Sequence, residues 1–232
     1  MLYPLTFEPI FQERVWGGRR LKTLFKKPLP PGQRIGESWE ISDRPDAISV
    51  IANGPFAGRD LRWLMENHAE KLLGEVPHHD GSFPWLAKLL DANEDLSVQV
   101  HPPASLAEQL GGEPKTEIWH IAHAEPDARL IAGLKHGTTP ENFEERMGQS
   151  DFPLCLHEIP AQKDDSIFIP SGRLHALGEG TVVFEIQQNS DTTFRVFDWN
   201  RTGLDGQPRT LHVDKAIQSI NFTDIEPHTL TP

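Results

Sequence analysis

Apolar positions between residues 59 and 74 recur at helical spacing. Leu61, Leu64, Met65, His68 and Leu72 share one face, and Gly74 can end the helix. His68 lies on that apolar stripe and is read as a packed side chain rather than a ligand. Residues 84–90 and 96–101 read as strands, with a turn from Asp91 to Asp95 between them. Ala104 to Leu110 is a short helix stopped by Gly111-Gly112. Residues 117–123 and 129–134 read as strands paired across Glu125-Pro126-Asp127. Thr139 as cap, Pro140 at the first helical position, and Glu141 and Glu144 in the first turn mark another helix start. Beyond residue 152 the pattern becomes short segments rich in Val, Ile and Phe, at 153–159, 165–169, 181–188 and 193–199. A closing helix over 212–220 and a polar, fraying tail from Glu226 to Pro232 follow. Short strands spaced by turns predict a sandwich or barrel. Lys26 to Gly32 is a surface loop, and no repeat or linker divides the chain. Residues 1–232 are therefore read as one β-rich domain with a few helices packed outside it.

Composition narrows the functional classes. A net charge of −12 and a pI of about 5.3 argue against nucleic acid and against an anionic membrane surface. They leave room for a small anionic substrate, which needs only a few local cations. No charged segment followed by an apolar run opens the chain, and no apolar stretch is long enough to span a bilayer, so a cytoplasmic location is expected. The lone cysteine, Cys155, sits in an apolar run and is read as a buried strand residue. It excludes an intrachain disulfide and a thiolate metal site.

Three segments carry candidate chemistry. In Gln99-Val100-His101-Pro102, residues i and i+2 of a strand face the same way, so Gln99 and His101 share a face that Val100 does not. A polar face inside an apolar barrel needs a partner, and a metal ion would be one. Glu117 opens the next strand, and a carboxylate with two histidines and an amide oxygen suits zinc or a similar ion. Pro170-Ser171-Gly172 makes a tight turn before a strand bearing His175. His120 points away from Glu117, and His123 lies about 20 Å along the strand from it at ~3.3 Å per residue, so neither is expected to join the set. Strand parity also turns Glu185 inward with Val183 and Gln187, while Phe184 and Ile186 pack outside.

These segments resemble the type I mannose-6-phosphate isomerases (phosphomannose isomerases), in the shorter bacterial branch. The resemblance rests on Trp16-Gly17-Gly18, on Gly36-Glu37-Ser38-Trp39-Glu40-Ile41-Ser42, and on Lys88-Leu89-Leu90-Asp91. It continues through Leu96-Ser97-Val98-Gln99-Val100-His101-Pro102, Lys115-Thr116-Glu117 and Pro170-Ser171-Gly172-Arg173-Leu174-His175-Ala176-Leu177. It ends with Gln188-Asn189-Ser190-Asp191-Thr192-Thr193-Phe194-Arg195-Val196. It implies a cupin, a jelly-roll-like β-barrel, with one zinc ion per chain on Gln99, His101, Glu117 and His175. It further implies active-site roles for Lys115, Glu185, Asp191 and Arg195.

The implied activity is interconversion of mannose 6-phosphate and fructose 6-phosphate through an enediolate. Arg195 would stabilise the enediolate, and Glu185, Lys115 and Asp191 are candidates for proton transfer and ring opening. Arg14, Arg19, Arg20 and Arg173 are candidates for the phosphate. Members of the shorter branch usually continue into a second, smaller β-domain, and the long branch has an inserted helical domain. Residues 1–232 match neither, and an oligomeric partner could supply what those parts provide. Two alternatives stand beside this reading: a non-catalytic or regulatory sugar-phosphate-binding cupin, and another metal-dependent cupin enzyme such as an iron oxygenase or a sugar epimerase.

Overall fold

The computed structural model describes residues 2–77, 81–149 and 151–230. The strands are, in chain order, β1 (Ile10–Gly18), β2 (Ile35–Ile41), β3 (Asp43–Arg44), β4 (Ala47–Ile48), β5 (Trp85–Ala92) and β6 (Val98–Val100). They continue with β7 (Glu117–Ala124), β8 (Arg129–Leu134), β9 (Leu156–Pro160), β10 (Ser166–Ile169), β11 (His175–Leu177), β12 (Thr181–Gln188) and β13 (Phe194–Phe197). The helices are α1 (Arg20–Phe25), α2 (Leu61–Leu73), α3 (Ala104–Ala107), α4 (Pro140–Arg146) and α5 (Val213–Ser219).

Two antiparallel sheets face each other, one ordered β1-β2-β5-β12-β7-β10 and the other β13-β6-β11-β8-β9. Side-chain alternation explains the layering. On β7, Glu117, Trp119 and Ile121 are buried while Ile118 and His120 are exposed. On β12, Val183, Glu185 and Gln187 are buried while Phe184 and Ile186 face out. Phe184 meets Phe25 edge-on, whereas Ile186 is exposed. The inner layer is apolar, with Trp16, Leu90, Trp119, Ile121, Leu130, Ile167, Leu177 and Val183 in one cluster.

The second sheet is covered on both faces. Val98, Val100, Ile131, Ala176 and Val196 meet Phe143 of α4, Ala216 of α5, and the 3-10 turn Phe152–Cys155. Their neighbours Gln99 and His175 are thereby turned toward the sandwich interior. The helix ends follow their sequence signals. Asp60 caps α2 by accepting from Trp63 N, and Thr139 with Asn142 forms a capping box on α4. His68 interrupts the regular φ/ψ of α2 and packs between Phe56 and Trp63, as a packed histidine should.

Three local expectations change. β7 and β8 are consecutive but do not pair: β7 lies between β12 and β10, and β8 between β11 and β9. The turn after β7 carries the chain to the opposite sheet, consistent with β8 being buried along nearly its whole length where β7 alternates. Cys155 is buried, but in the 3-10 turn before β9, because Pro153 supplies no N–H for a ladder. The tail does not fray from Glu226. Ser166 and Leu230 exchange backbone hydrogen bonds of 3.0 and 2.7 Å, which ties the tail to the edge of β10. Thr231 and Pro232 lie outside the described residues.

Phe143 is fully buried against Phe152 and Phe222 and seals the outer face of the second sheet. Phe143→Ala is expected to lower the unfolding free energy by about 3–5 kcal/mol in urea denaturation.

Candidate metal centre and active-site cavity

The Pro170-Ser171-Gly172 turn gathers the metal-ligating segments. Gly172 has φ +93°, a conformation that glycine adopts without Cβ strain. Its N–H donates to His101 O, and Ser171 Oγ accepts from Lys115 N while lying 3.3 Å from Thr116 Oγ1. One turn thus ties the strand after Lys115 to the His101 segment, and β11 begins three residues later. In register, His175 sits opposite Gln99 on β6 and opposite Ala132 on β8.

His101, Glu117 and His175 are all buried, and their ligand atoms lie within 4.8 Å of one another. His101 Nε2 is 3.5 Å from Glu117 Oε2, and His175 Nε2 is 3.5 Å from Glu117 Oε1. Both imidazoles have a fixed tautomer. His101 Nδ1 donates to Thr192 O at 2.8 Å and His175 Nδ1 to Arg173 O at 2.9 Å, because a carbonyl can only accept. Burial pushes both rings toward the neutral form, with His101 down to about 3, helped by the Lys115 charge. Two Nε2 lone pairs therefore point at a carboxylate. His101 Nε2 and both Glu117 oxygens are buried without a hydrogen-bond partner. Burial alone would raise Glu117, but Lys115 and the histidines outweigh it and hold the carboxyl well below its ordinary range. Acceptors facing acceptors in a dry interior call for a cation. The separations suit one, since donors at ~2.0–2.2 Å from a tetrahedral ion lie about 3.3–3.6 Å apart. The residues present fit a divalent metal.

A cavity of about 310 Å³ opens beside this cluster. Gln99, Lys115, Glu185, Asp191 and Arg195 all line it, so the expected site residues converge. Lys115 Nζ lies 3.1 Å from Glu117 Oε2. Burial would push the Lys115 ammonium down, but Glu117, Glu185 and Asp191 outweigh it and raise it. Arg195 stands opposite Gln99 in register and donates from Nε to Ser97 Oγ and from Nη1 to Thr210 O. Glu185 accepts from Trp119 Nε1 at 2.9 Å, and burial together with the Glu117 charge raises its pKa.

Two residues in the wall carry a role that sequence reasoning missed. Lys88 Nζ is 3.2 Å from Glu185 and 3.7 Å from Glu37. Burial opposes ionisation of Glu37, but Lys88 and Arg14 outweigh it and lower its pKa to about 2. A signal existed in the pattern. Lys88 shares a strand face with the apolar Leu86 and Leu90, and Glu37 with Ile35 and Trp39.

Among the four arginines considered for phosphate, only Arg14 reaches this cavity. Arg19 donates to Pro30 O and Gln33 O, Arg20 pairs with Asp91, and Arg173 pairs with Asp224. His120 is exposed against Ser166, and His123 is 3.2 Å from Glu125, so neither joins the ligand cluster. No helix among the described residues is long and apolar enough to cross a membrane.

A two-sheet sandwich with a His–Glu–His cluster in its interior is a metal-binding cupin. Residues 5–112 match the family model for the catalytic domain of type I phosphomannose isomerase. GmuF, a probable mannose-6-phosphate isomerase of Bacillus subtilis (strain 168), is 44% identical over 97% of this chain and 71% of its own length. The crystal structure of the mannose 6-phosphate isomerase from Bacillus subtilis superposes with a TM-score of 0.89 at 36% identity, covering 98% of this chain and 71% of that one. A more distant zinc-bound mannose 6-phosphate isomerase has a TM-score of 0.71 at 17% identity over 94% of this chain and 74% of its own, and shares the fold. The chain belongs to the type I phosphomannose isomerase family.

With the metal removed, Lys115 depends on Glu117 for its counter-charge. Glu117→Gln in chelator-treated protein is expected to cost about 3–5 kcal/mol in urea denaturation at neutral pH. An unchanged midpoint would mean that this ion pair does not stabilise the fold.

Proposed function

We propose that the protein is a metal-dependent aldose–ketose isomerase that interconverts mannose 6-phosphate and fructose 6-phosphate through an enediolate. The observation that carries this reading is the ring of buried acceptors, His101, Glu117 and His175, opening onto a cavity lined by both cations and carboxylates. The family's relatives are named for the same activity. The proposed ion is one zinc per chain, as in the more distant zinc-bound structure. Gln99 completes the ligand set. Its amide nitrogen lies 3.4 Å from His175 Nε2, and turning the amide over presents the oxygen instead. A divalent ion in this position supplies Lewis-acid stabilisation for negative charge on the sugar oxygens.

The side chains account for the rest. Moving a proton between C2 and C1 needs a group that can take it and return it. Glu185 is suited to that transfer. It is buried on the cavity wall, its pKa is raised by burial and by Glu117, and Lys88 beside it offsets part of that rise. Lys115 keeps Glu117 ionised for the metal and presents its ammonium to the substrate oxygens. Arg195, also on the cavity wall, balances the enediolate charge. Asp191, on the loop whose Thr192 O orients His101, is assigned to ring opening.

A coupled assay with mannose 6-phosphate, with and without chelator, tests the whole reading. Activity is expected to vanish with chelation and return with zinc. His175→Ala is expected to lose both the bound metal, by elemental analysis, and the activity, whereas full turnover in a metal-free His175→Ala protein would refute the assignment. Glu185→Gln is expected to retain the metal and to lower kcat by about 10²–10⁴-fold. A near-normal kcat would remove Glu185 from proton transfer.

A further inference from the structure

Arg209 lies on the wall of the active-site cavity and, with Arg14, lines a smaller pocket beside Gly203, Leu204 and Asp205. It comes from the segment between β13 and α5, which folds back on itself through a bridge between Thr202 and Pro208. The segment is pinned at two points. Arg195 and His212 exchange backbone contacts, His212 N donating to Arg195 O and Arg195 N to His212 Nδ1. Asp198, only 6% exposed, accepts Nε and Nη2 of Arg201 and also Nε and Nη2 of Arg209.

Three guanidinium groups thus surround a single carboxylate. Burial lowers the pKa of Arg195, and the nearby charges of Arg209 and Arg201 lower it further against the pull of Asp198. This surplus of positive charge stands in a chain whose net charge is −12. Donors are also left over. Arg195 Nη2, Arg209 Nη1 and Arg14 Nη2 make no hydrogen bond among the described residues, while every other nitrogen of the Arg209 side chain is held by Asp198. A cluster of oriented cations with spare N–H groups matches the charge and acceptor geometry of a phosphate monoester.

We propose that Arg209, with Arg195 and Arg14, forms the subsite that takes the phosphate of the sugar substrate, and that Asp198 is the positioning residue that aims Arg209. Arg195 then serves both ends of the substrate. It stands opposite the ligand Gln99 in register, and Arg209 extends the positive wall from there toward Arg14. The sugar part of this assignment rests on the isomerase reading. The phosphate part can be read without turnover.

The test uses metal-loaded wild type, Arg209→Gln, Arg209→Lys and Asp198→Asn. Inorganic phosphate is titrated calorimetrically, and steady-state kinetics follow mannose 6-phosphate. In Arg209→Gln the phosphate Kd and the KM are expected to rise about tenfold or more, and the KM to rise by more than kcat falls. Arg209→Lys keeps a charge for Asp198 but lacks the fork, and is expected to show a smaller rise in both constants. Asp198→Asn is expected to raise KM through Arg209, an effect that a purely structural role, lowering the melting temperature alone, would not produce. Unchanged phosphate affinity and KM in folded Arg209→Gln overturn the proposal, and so does a fall in kcat at constant KM. Should Arg209→Gln fail to fold, unchanged constants in Arg209→Lys overturn it equally. A wild type that binds phosphate through Arg209 yet leaves mannose 6-phosphate unchanged would sink the isomerase reading and keep the subsite. Turnover indifferent to Arg209 would do the reverse.

Discussion

The constraint on which this structure turns is a carboxylate, Glu117, buried with no hydrogen-bond donor aligned on either oxygen and faced by two imidazole lone pairs. In water such a group would be solvated. In the sandwich interior it needs a cation, and Lys115 reaches only one of its two oxygens. The tautomers of His101 and His175 are set from behind by backbone carbonyls, so neither ring can relieve the conflict by turning a proton toward Glu117 without losing that bond. The polar interior is therefore incomplete by construction, and a divalent ion completes it.

The same electrostatics spread along the cavity wall. Lys88 lies between Glu185 and Glu37, and Lys115 adjoins Glu117, so alternating signs let several charges share a nearly dry space. The balance is uneven in an informative way. Glu37 is driven toward the ionised form by its two cations, whereas Glu185, also near Glu117, is driven toward the protonated one. Two carboxylates a few ångströms from one lysine thus acquire opposite tendencies, a distribution suited to a site where one carboxylate stays charged and another exchanges protons.

The architecture makes this arrangement stable. Because the second sheet is packed on its outer face by α4, α5 and the Phe152–Cys155 turn, β6 and β11 are held by apolar contacts that Gln99 and His175 do not have to make. The turn at residues 170–172 and the loop around Thr192 then hold the ligands by backbone hydrogen bonds rather than by packing. A polar cluster of this kind stays rigid only while its surroundings are rigid.

Strand periodicity is a local property, and the sequence alone carried it far. It located nearly every strand and helix, turned Gln99, His101 and Glu185 inward, and marked the ends of α2 and α4. The resemblance to a family then joined ligands that lie up to 76 positions apart. Sequence could not say that β7 and β8 belong to different sheets, since a short turn permits either pairing and only burial of β8 on both faces decides. It assigned Lys88 and Glu37 no distinct role, because a charged residue within a strand is ordinarily solvated until a third strand bearing Glu185 is laid beside it. It passed over Arg209 and favoured Arg19, Arg20 and Arg173. Which arginines face a cavity depends on how the chain after β13 folds back and on a buried Asp198 to hold it, and that is long-range packing, which no local pattern of residues encodes.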